Sequence, residues 1–324
     1  MELHLDPDAF AALLNDIHGK TGYRLDVLEK DYYVTLVLEE LSAFQGNGLP
    51  AYFKGGTALY KALRSTKRFS EDIDISVDVR DCSRTQGDKR LDKAAKGYRQ
   101  LERIVGEGRN NRSEVISFYR YTPLFSYDKG DELQRFGRVK VEATSFTISE
   151  PVSDMDISPM VFGLADAGQR GILASQYGVR PFAIKTISME RTFIDKIFAA
   201  ESYYRRSEDI HKAFEVAKHI YDLVELESDG RIANLLNDES LMRYLLDVRL
   251  EEEKGRLDGI PNVRPIDFTF FDGIEHSRNV KTSFWNMQRQ YVLREDDKMD
   301  YGDAVNAIKR IKRKLLGNPS WAMR

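Results

Sequence analysis

Residues 53–77 read FKGGTALYKALRSTKRFSEDIDISV, and this stretch decides the fold that the sequence predicts. A short apolar run ends in two glycines, a helical pattern follows, and a β-branched run then carries Asp72 and Asp74 on either side of an isoleucine. Alternate side chains of a strand point to the same face, so both carboxylates lie on one face. Like charges on one face repel each other unless a cation lies between them. The stretch therefore predicts a strand, a tight turn, a helix and a second strand with an anionic face.

Length and composition are typical of a soluble globular protein of two domains. The chain has 324 residues, of which 42% are hydrophobic and 31% are charged, and a domain commonly holds about 100–200 residues. No run approaches the ~20 apolar residues that a membrane-spanning helix needs. The start of the chain lacks the features of a secretory signal, and the single Cys82 cannot form an internal disulfide. We therefore expect a protein of the reducing cytoplasm with no membrane partner.

Hydrophobic periodicity divides the chain into a mixed first part and a helical second part. In the first part, helical patterns cover 10–17, 29–44 and 57–65, and a charged helix flanked by loops is expected within 80–113. Strand patterns cover 49–56, 72–79, 116–127 and 138–148. In the second part, long helical patterns cover 186–206, 208–226, 240–257 and 301–316. We predict an α/β (α+β) fold, with a mixed sheet and flanking helices in residues 1–170 and a helical domain in residues 171–324.

The glycine turn is a candidate phosphate site. Where such a turn runs into a helix, it presents unpaired backbone N–H groups and the positive end of the helix dipole. Gly55 and Gly56 would let a phosphate approach closely, and Thr57 could add its hydroxyl. The same motif also occurs as a plain turn, and taken alone it leaves both interpretations open.

The acids on the second strand favour a divalent cation. Two carboxylates as close as Asp72 and Asp74 suit Mg²⁺, which prefers oxygen ligands and often keeps substrate phosphates among them. In VKVEAT, Glu142 shares a strand face with Lys140 and is the candidate third acid, which would let a second cation bind. The alternative for Asp72 and Asp74 is a pair of solvated acids on an edge strand, and the alternative for Glu142 is a polar residue on the wet side of a strand.

Taken together, these motifs resemble a known family. A hydrophobic strand, a Gly-Gly turn, a helix, D-x-D and a later strand acid are similar to the nucleotidyltransferase fold of the DNA polymerase β superfamily. More narrowly, FKGGTALYKAL, RFSEDIDISV, EKDYYVTLVL and ERTFIDKIFA resemble the abortive-infection nucleotidyltransferase toxins of the AbiEii/AbiGii type. The resemblance covers most of residues 29–225 and is most specific in the first motif. It implies a polymerase β-like nucleotidyltransferase domain at the N-terminus.

The resemblance also implies roles for the residues of the first motif. It places the triphosphate at Gly55, Gly56 and Thr57, and it places metal ligands at Asp72 and Asp74. The spacing from the glycines to the acids is slightly long for the family, which indicates an extended helix or loop at RSTKRF.

Other matching positions lie around and beyond that motif. Arg68 and Ser70 match the R-x-S-x-D-x-D lead-in, whose guanidinium and hydroxyl could meet phosphate oxygens. Lys196 in ERTFIDKIFA matches a lysine that reaches the nucleotide's phosphates, and its alternative is a helix-surface lysine over apolar neighbours. Asp222 in AKHIYDLVEL matches one acid of a late R-D-x-x-D-like motif and could orient that lysine or the acceptor. His219 stands where the family has the first acid of that motif, so either residue could fill its role.

The reaction that the resemblance implies transfers a nucleoside monophosphate from an NTP to an acceptor and releases pyrophosphate. Mg²⁺ or Mn²⁺ would be the cofactor, held by the two aspartates. Glu142 would complete a second metal site and help an acceptor hydroxyl to become nucleophilic. Because Lys196 belongs to the second domain, the site is expected in a cleft between the domains.

RNA, at the 3′ end of tRNA, is the implied acceptor, and a cognate antitoxin is an implied partner. The net charge of −3 argues against non-specific coating of nucleic acid, but a local basic cluster can still bind phosphates. KRIKRKLL carries such a cluster without an acid, formed by Lys309, Arg310, Lys312, Arg313 and Lys314. Trp285, Tyr291 and Trp321 lie nearby in sequence, as on a surface that contacts RNA. A solvated terminal helix explains the same pattern equally well.

Two other functions stay open at the level of the sequence. The chain could transfer AMP to a protein that it regulates, or it could be a non-catalytic nucleotide-binding module that acts by association. The presence of Asp72, Asp74 and Lys196 argues against the module. Labelling of total RNA and protein with each NTP would distinguish transfer to RNA from transfer to a protein.

Overall fold

The computed structural model describes residues 1–125, 136–255 and 259–323, and their contacts form two compact units. The sheet unit consists of Met1–Ala62 and Glu71–Thr186. The helical unit consists of Leu63–Ser70 and the described residues from Ile187 onward. This division differs from the predicted one at residue 170. Residues 171–186 belong to the sheet unit, and Leu63–Ser70 belong to the helical unit.

A mixed sheet forms the centre of the sheet unit, as the sequence predicts. Among the described residues its strands are β1 (Ala51–Lys54), β2 (Ile73–Val77), β3 (Glu102–Arg103), β4 (Arg109–Asn110), β5 (Glu114–Arg120), β6 (Arg138–Thr144), β7 (Val152–Ile157) and β8 (Phe182–Ile187). They are ordered β3-β5-β6-β2-β1-β8-β7, and β4 pairs with β5. β2 is parallel to β6 and antiparallel to β1, which is itself parallel to β8. The predicted fold class is therefore confirmed.

The predicted strands correspond to β1, β2, β5 and β6, and the last two end earlier than their sequence patterns. β5 and β6 are antiparallel, and their ladder ends where Arg120 faces Arg138, the first residue of β6. The strand predicted over 116–127 therefore stops at Arg120, and its residues 126 and 127 lie outside the described residues. β3 and β4 were not predicted, because two-residue strands are too short to show an alternating pattern.

Helices cover one face of this sheet. In the sheet unit they are α1 (Pro7–Thr21), α2 (Leu25–Gly46), α3 (Gly55–Lys61), α4 (Arg84–Lys96), α5 (Met160–Leu164) and α6 (Ala167–Gln176). α2 contacts β1 and β6, and α4 contacts β2, β5 and β6. One hydrophobic core joins these helices to alternate strand residues such as Ile73, Ile75 and Val141. Asp74 and Glu142 lie next to those residues in the strands, so their side chains point to the other face and stay partly exposed.

α2 is more deeply buried than the amphipathic helix expected over 29–44. Its residues Glu29, Lys30 and Asp31 are no more than 2% exposed, although all three are charged. A Glu29 oxygen accepts a hydrogen bond from the Leu124 backbone N–H at 2.7 Å, and the Lys30 ammonium donates to the backbone oxygen of Arg138. The partners come from distant segments, so local periodicity could not predict this burial.

Asp31 forms a buried ion pair that joins three helices. Its Oδ1 accepts from Lys61 Nζ at 2.5 Å, and its Oδ2 accepts from the backbone N–H of Met160 at 2.6 Å. The side chains of Lys61 and Asp31 are 3% and 1% exposed. The pair therefore ties α2 to the end of α3 and to the start of α5.

The helical unit contains the long helices that the sequence predicts. Among the described residues its helices are α7 (Met189–Tyr204), α8 (Ile210–Glu227), α9 (Gly230–Asn237), α10 (Glu239–Gly255), α11 (Phe270–Gly273), α12 (Arg278–Tyr291), α13 (Tyr301–Gly317) and α14 (Pro319–Ala322). The four predicted helices correspond to α7, α8, α10 and α13, with residues 256 and 257 outside the described part. α12 was not predicted, although Val280, Phe284 and Met287 show the helical spacing of a buried face. Within the described ranges, none of the helices has the length and apolar character needed to cross a membrane.

We expect Lys61→Met to lower the free energy of unfolding by about 3–5 kcal/mol, because the buried Asp31 carboxylate loses its charge partner. Urea unfolding followed by circular dichroism measures the change. The double variant Lys61→Met with Asp31→Asn should recover part of the loss, since no buried charge is then left unpaired. A double variant as unstable as Lys61→Met would contradict this account.

Candidate active site

Three neighbouring strands bring charged side chains into one row. Lys54 of β1 lies opposite Asp74 of β2, and Asp74 lies beside Glu142 of β6. Asp72 precedes β2 by one residue, and alternation places its side chain on the face of Asp74. The side chains of Asp72 and Glu142 are 49% and 27% exposed. The structure thus gathers on one open face the three acids that the sequence singled out.

Two lysines lie among these acids. The Lys140 ammonium is 3.0 Å from Glu142 Oε2 and 3.5 Å from Asp72 Oδ2. Burial lowers the pKa of Lys140, but the charges of Asp72, Glu142 and Asp74 outweigh burial and raise it above its ordinary value. Lys54 donates to the hydroxyl oxygens of two threonines of the same unit, at 2.8 and 3.0 Å. Sequence reasoning placed Lys140 on the face of Glu142 but did not predict that it contacts two acids.

The surroundings of Asp74 make its carboxyl group hard to ionise. Burial, the Glu142 carboxylate and the Asp72 carboxylate together raise the pKa of Asp74 to about 7, against the opposing effect of Lys140 and Lys54. The row also has three carboxylates against two ammonium groups, so with Asp74 ionised it carries one excess negative charge. A further cation near the three acids would relieve the imbalance.

Gly55 is needed where β1 ends and α3 begins. Its φ of +79° lies in the left-handed region, which side-chain-bearing residues seldom adopt. A Cβ atom at this position would lie 2.1 Å from Asp74 Oδ2, well inside contact distance. Gly55, which the sequence predicts to contact a phosphate, is therefore also required to leave space for the Asp74 carboxylate.

The Thr57 side chain points into the protein interior. Its side chain is fully buried, and its hydroxyl donates to the backbone oxygen of Asp72. This bond ties the start of α3 to the residues that lead into β2. The contribution of the Thr57 hydroxyl to phosphate binding stays a prediction.

In the helical unit, two of the remaining predicted residues, Arg68 and Lys196, meet at Asp222. Arg68 donates from Nε to Asp222 Oδ1 and from Nη2 to Oδ2, each at 2.7 Å, and Lys196 Nζ lies 2.6 Å from Oδ2. Burial alone would raise the pKa of Asp222, but the two cations outweigh it and hold that pKa well below its usual range. Thr66 adds a bond to the same carboxylate at 3.2 Å, whereas Ser70 is half-buried at the end of this segment. Lys196 is therefore not the helix-surface lysine of the alternative reading.

His219 lies beside this cluster and is neutral at pH 7. Burial, together with the positive charge of Lys196, holds the His219 pKa well below its ordinary value. The ring stacks on Tyr203 with centroids 5.6 Å apart. Its Nδ1 is buried, and no described residue supplies that atom with a hydrogen-bond partner.

The basic run of α13 is largely neutralised inside the helical unit. Four of its five cations form ion pairs, which are Lys309 with Glu275, Arg310 and Lys314 with Glu227, and Lys312 with Asp272. Of the three aromatic residues expected near an RNA surface, Tyr291 and Trp321 are buried and Trp285 is 43% exposed. The run therefore resembles a solvated helix more than an open phosphate-binding surface.

A metal site can be tested against the same side chains. Among the residues that the structure describes, no three His, Cys, Asp or Glu side chains already converge as a ready-made metal site. The donor chemistry nevertheless fits a hard divalent cation, because Asp72, Asp74 and Glu142 share one face and carry an excess of negative charge. The Lys140 ammonium lies where a cation could contact two of them.

Comparison with protein families identifies one match over most of the chain. The family model described as "Nucleotidyl transferase AbiEii toxin, Type IV TA system" matches residues 37–308. The matched range contains the acidic row of the sheet unit and the Asp222 cluster of the helical unit. A search among curated proteins finds no similar sequence.

Two solved structures are similar to the chain at low sequence identity. MenT4, a nucleotidyltransferase toxin from Mycobacterium tuberculosis H37Rv, is 18% identical, with 97% of this chain and 98% of that chain covered and a TM-score of 0.49. JHP933 from Helicobacter pylori is 14% identical, with 93% and 97% covered and a TM-score of 0.42.

We expect Gly55→Ala to destabilise the sheet unit by about 1–3 kcal/mol, because the added Cβ meets Asp74 and the φ is unfavourable. Chemical unfolding measures the loss. Gly46→Ala is the matched control, since a Cβ there meets nothing within 4 Å. Equal stability of the two variants would show that the space at Gly55 is not required.

Lys140→Met should strengthen binding of Mg²⁺, on the order of tenfold or about 1.4 kcal/mol, because it removes a competing cation from Asp72 and Glu142. The rise in Tm on addition of Mg²⁺ measures the effect without any activity assay. Lys185→Met removes an equivalent ammonium from its pair with Asp154 and should respond like the wild type. If Mg²⁺ raised the Tm of Lys140→Met no more than that of the wild type, Asp72 and Glu142 would not be the residues that bind Mg²⁺.

Proposed function

The chain belongs to the AbiEii family of nucleotidyltransferase toxins, and from that premise we propose that it transfers a nucleoside monophosphate from an NTP to RNA with Mg²⁺ as cofactor. The observation that carries the proposal is the row of Asp74 and Glu142 on adjacent parallel strands, with Asp72 on the same face. In the reaction, an acceptor hydroxyl oxygen bonds to the α-phosphorus, and the bond from that phosphorus to pyrophosphate breaks. This chemistry needs positioned phosphates and neutralised charge more than it needs covalent help from the protein.

The three acids of the row are the proposed metal ligands. Asp72, Asp74 and Glu142 would hold Mg²⁺ or Mn²⁺, which supplies charge neutralisation at the phosphates when it is bound. The three carboxylates outnumber the two lysines of the row, and this supports the assignment because a bound cation would offset the excess negative charge. Glu142, at 27% exposure, would also help the acceptor hydroxyl to lose its proton.

The glycine turn is the proposed triphosphate site. Gly55 lies against the Asp74 carboxylate, so the turn of Gly55 and Gly56 adjoins the acidic row. The Thr57 hydroxyl is already engaged with the backbone of Asp72, so we assign its contribution to its backbone N–H. Backbone donors suit this position because they add no negative charge beside the acids.

The Asp222 cluster has a separate structural role that does not depend on a nucleotide. It holds two cations, Arg68 and Lys196, in fixed positions inside the helical unit. Buried charges of this kind persist only when they are paired. Contacts of Arg68, Ser70 and Lys196 with nucleotide phosphates stay a prediction.

The partners and the location of the protein are proposed from the family and from the proposed substrate. The family is described as a type IV toxin–antitoxin system, so we expect a cognate antitoxin for this chain. RNA, including the 3′ end of tRNA, is the proposed acceptor because it offers a free hydroxyl. An enzyme whose substrates are NTPs and RNA would act in the cytoplasm, and we include this location in the proposal.

Asp74→Asn should lower nucleotide transfer by at least about 100-fold, because it removes a proposed metal ligand from the centre of the row. The measurement is incorporation of α-³²P from each NTP into total cellular RNA and, in parallel, into total protein. Label that depends on Asp74 and appears in RNA supports the proposal.

Asp154→Asn is the matched control, since Asp154 lies on β7 of the same sheet and is 66% exposed. It should transfer at the wild-type rate. Wild-type labelling by Asp74→Asn would refute the assigned site, and label found only in protein would identify a protein-modifying enzyme instead.

A further inference from the structure

We propose that the outer face of α12 is a docking surface for single-stranded RNA. This inference rests on the proposed function, in which RNA is the acceptor, and it moves the RNA contact away from the basic run of α13. The outer face is defined by four exposed side chains, Arg278, Lys281, Trp285 and Arg289. They follow one another at helical spacings of three or four residues, so they form one stripe along the helix.

α12 has one buried face, which fixes the direction of the stripe. Val280, Phe284 and Met287 are fully buried, and α12 packs against α8 and α13. The four residues of the stripe lie on the opposite side of the helix. From Arg278 to Arg289 the stripe extends over eleven steps of about 1.5 Å, or roughly 16 Å, which is long enough to contact several nucleotides.

The charge of the stripe is entirely positive. RNVKTSFWNMQRQY, the sequence of α12, contains no Asp or Glu. Among the residues that the structure describes, Arg278, Lys281 and Arg289 form no ion pair. The cations of α13 contrast with these, since four of the five are paired to acids. Free cations in a row complement a phosphate backbone.

Trp285 favours a single-stranded nucleic acid over polyanions that lack planar groups. The chain has two tryptophans, and Trp321 is 1% exposed whereas Trp285 is 43% exposed. A large exposed indole between cations is the arrangement on which unpaired bases stack while their phosphates contact Lys and Arg. An acidic protein segment would match the charges, but it does not offer a planar group beside each negative charge, as a nucleic acid does. The combination therefore favours a single strand with exposed bases.

The test compares two variants that lose the same number of positive charges. Arg278→Gln/Lys281→Gln/Arg289→Gln removes three cations from α12, and Lys309→Gln/Arg310→Gln/Lys312→Gln removes three from α13. Binding of a fluorescein-labelled single-stranded RNA to the full chain is followed by anisotropy, without NTP or Mg²⁺. We expect the α12 variant to bind at least about tenfold more weakly, and its salt slope to fall by about 2. The α13 variant should stay within about twofold of the wild type.

A single substitution provides a second readout that does not depend on charge. Trp285→Ala should weaken RNA binding by about five- to tenfold, because base stacking is lost. The fluorescence quenching that RNA causes in the wild type should disappear in Trp285→Phe, since Trp321 is buried. Unchanged Tm values would show that these surface variants fold normally.

Three outcomes would overturn the proposal. Equal loss of binding in both triple variants would indicate net charge alone, and wild-type binding by the α12 variant would exclude the surface. Competition by poly-glutamate as effective as that by RNA would identify an acidic protein partner instead. Because binding is measured without transfer, failure here with intact Asp74-dependent labelling of RNA would overturn the surface and leave the proposed reaction standing.

Discussion

Repulsion between carboxylates on adjacent parallel strands is the constraint on which the acidic row depends. The register of β2 and β6 sets Asp74 beside Glu142, and no rotation of the side chains can remove both charges from the same face. The surrounding groups reduce that cost. Lys140 contacts two of the acids, and Gly55 leaves space for the third. Burial and the neighbouring carboxylates raise the pKa of Asp74, and a bound cation would favour its ionised form.

The helical unit shows the opposite imbalance. One carboxylate, Asp222, serves two buried cations, and its pKa is held low although burial opposes ionisation. The sheet unit therefore holds a cluster with excess negative charge, and the helical unit holds one with excess positive charge. Pairing with Asp222 lets both cations stay charged in a buried position.

Basic sequence runs and basic surfaces are different properties in this protein. KRIKRKLL is the most basic stretch of the C-terminal region, but acids from α8 and α11 and the turn that follows α11 neutralise four of its cations. α12 is less basic, yet its cations have no paired acids among the described residues. The charge available to a ligand depends on which acids the fold brings near, because ion pairing cancels the field that a polyanion would experience.

Local periodicity was sufficient to predict the strand, turn, helix and strand of residues 53–77, the shared face of Asp72 and Asp74, and the long helices α7, α8, α10 and α13. These features depend on residues a few positions apart, and backbone geometry repeats over that distance. Only the tertiary structure decided that Lys140 lies between two acids, that the Thr57 hydroxyl turns to the Asp72 backbone, and that Arg68 and Lys196 share Asp222. Those contacts join segments far apart in the chain, and electrostatic and hydrogen-bond partners are chosen by distance in space, which sequence spacing does not encode.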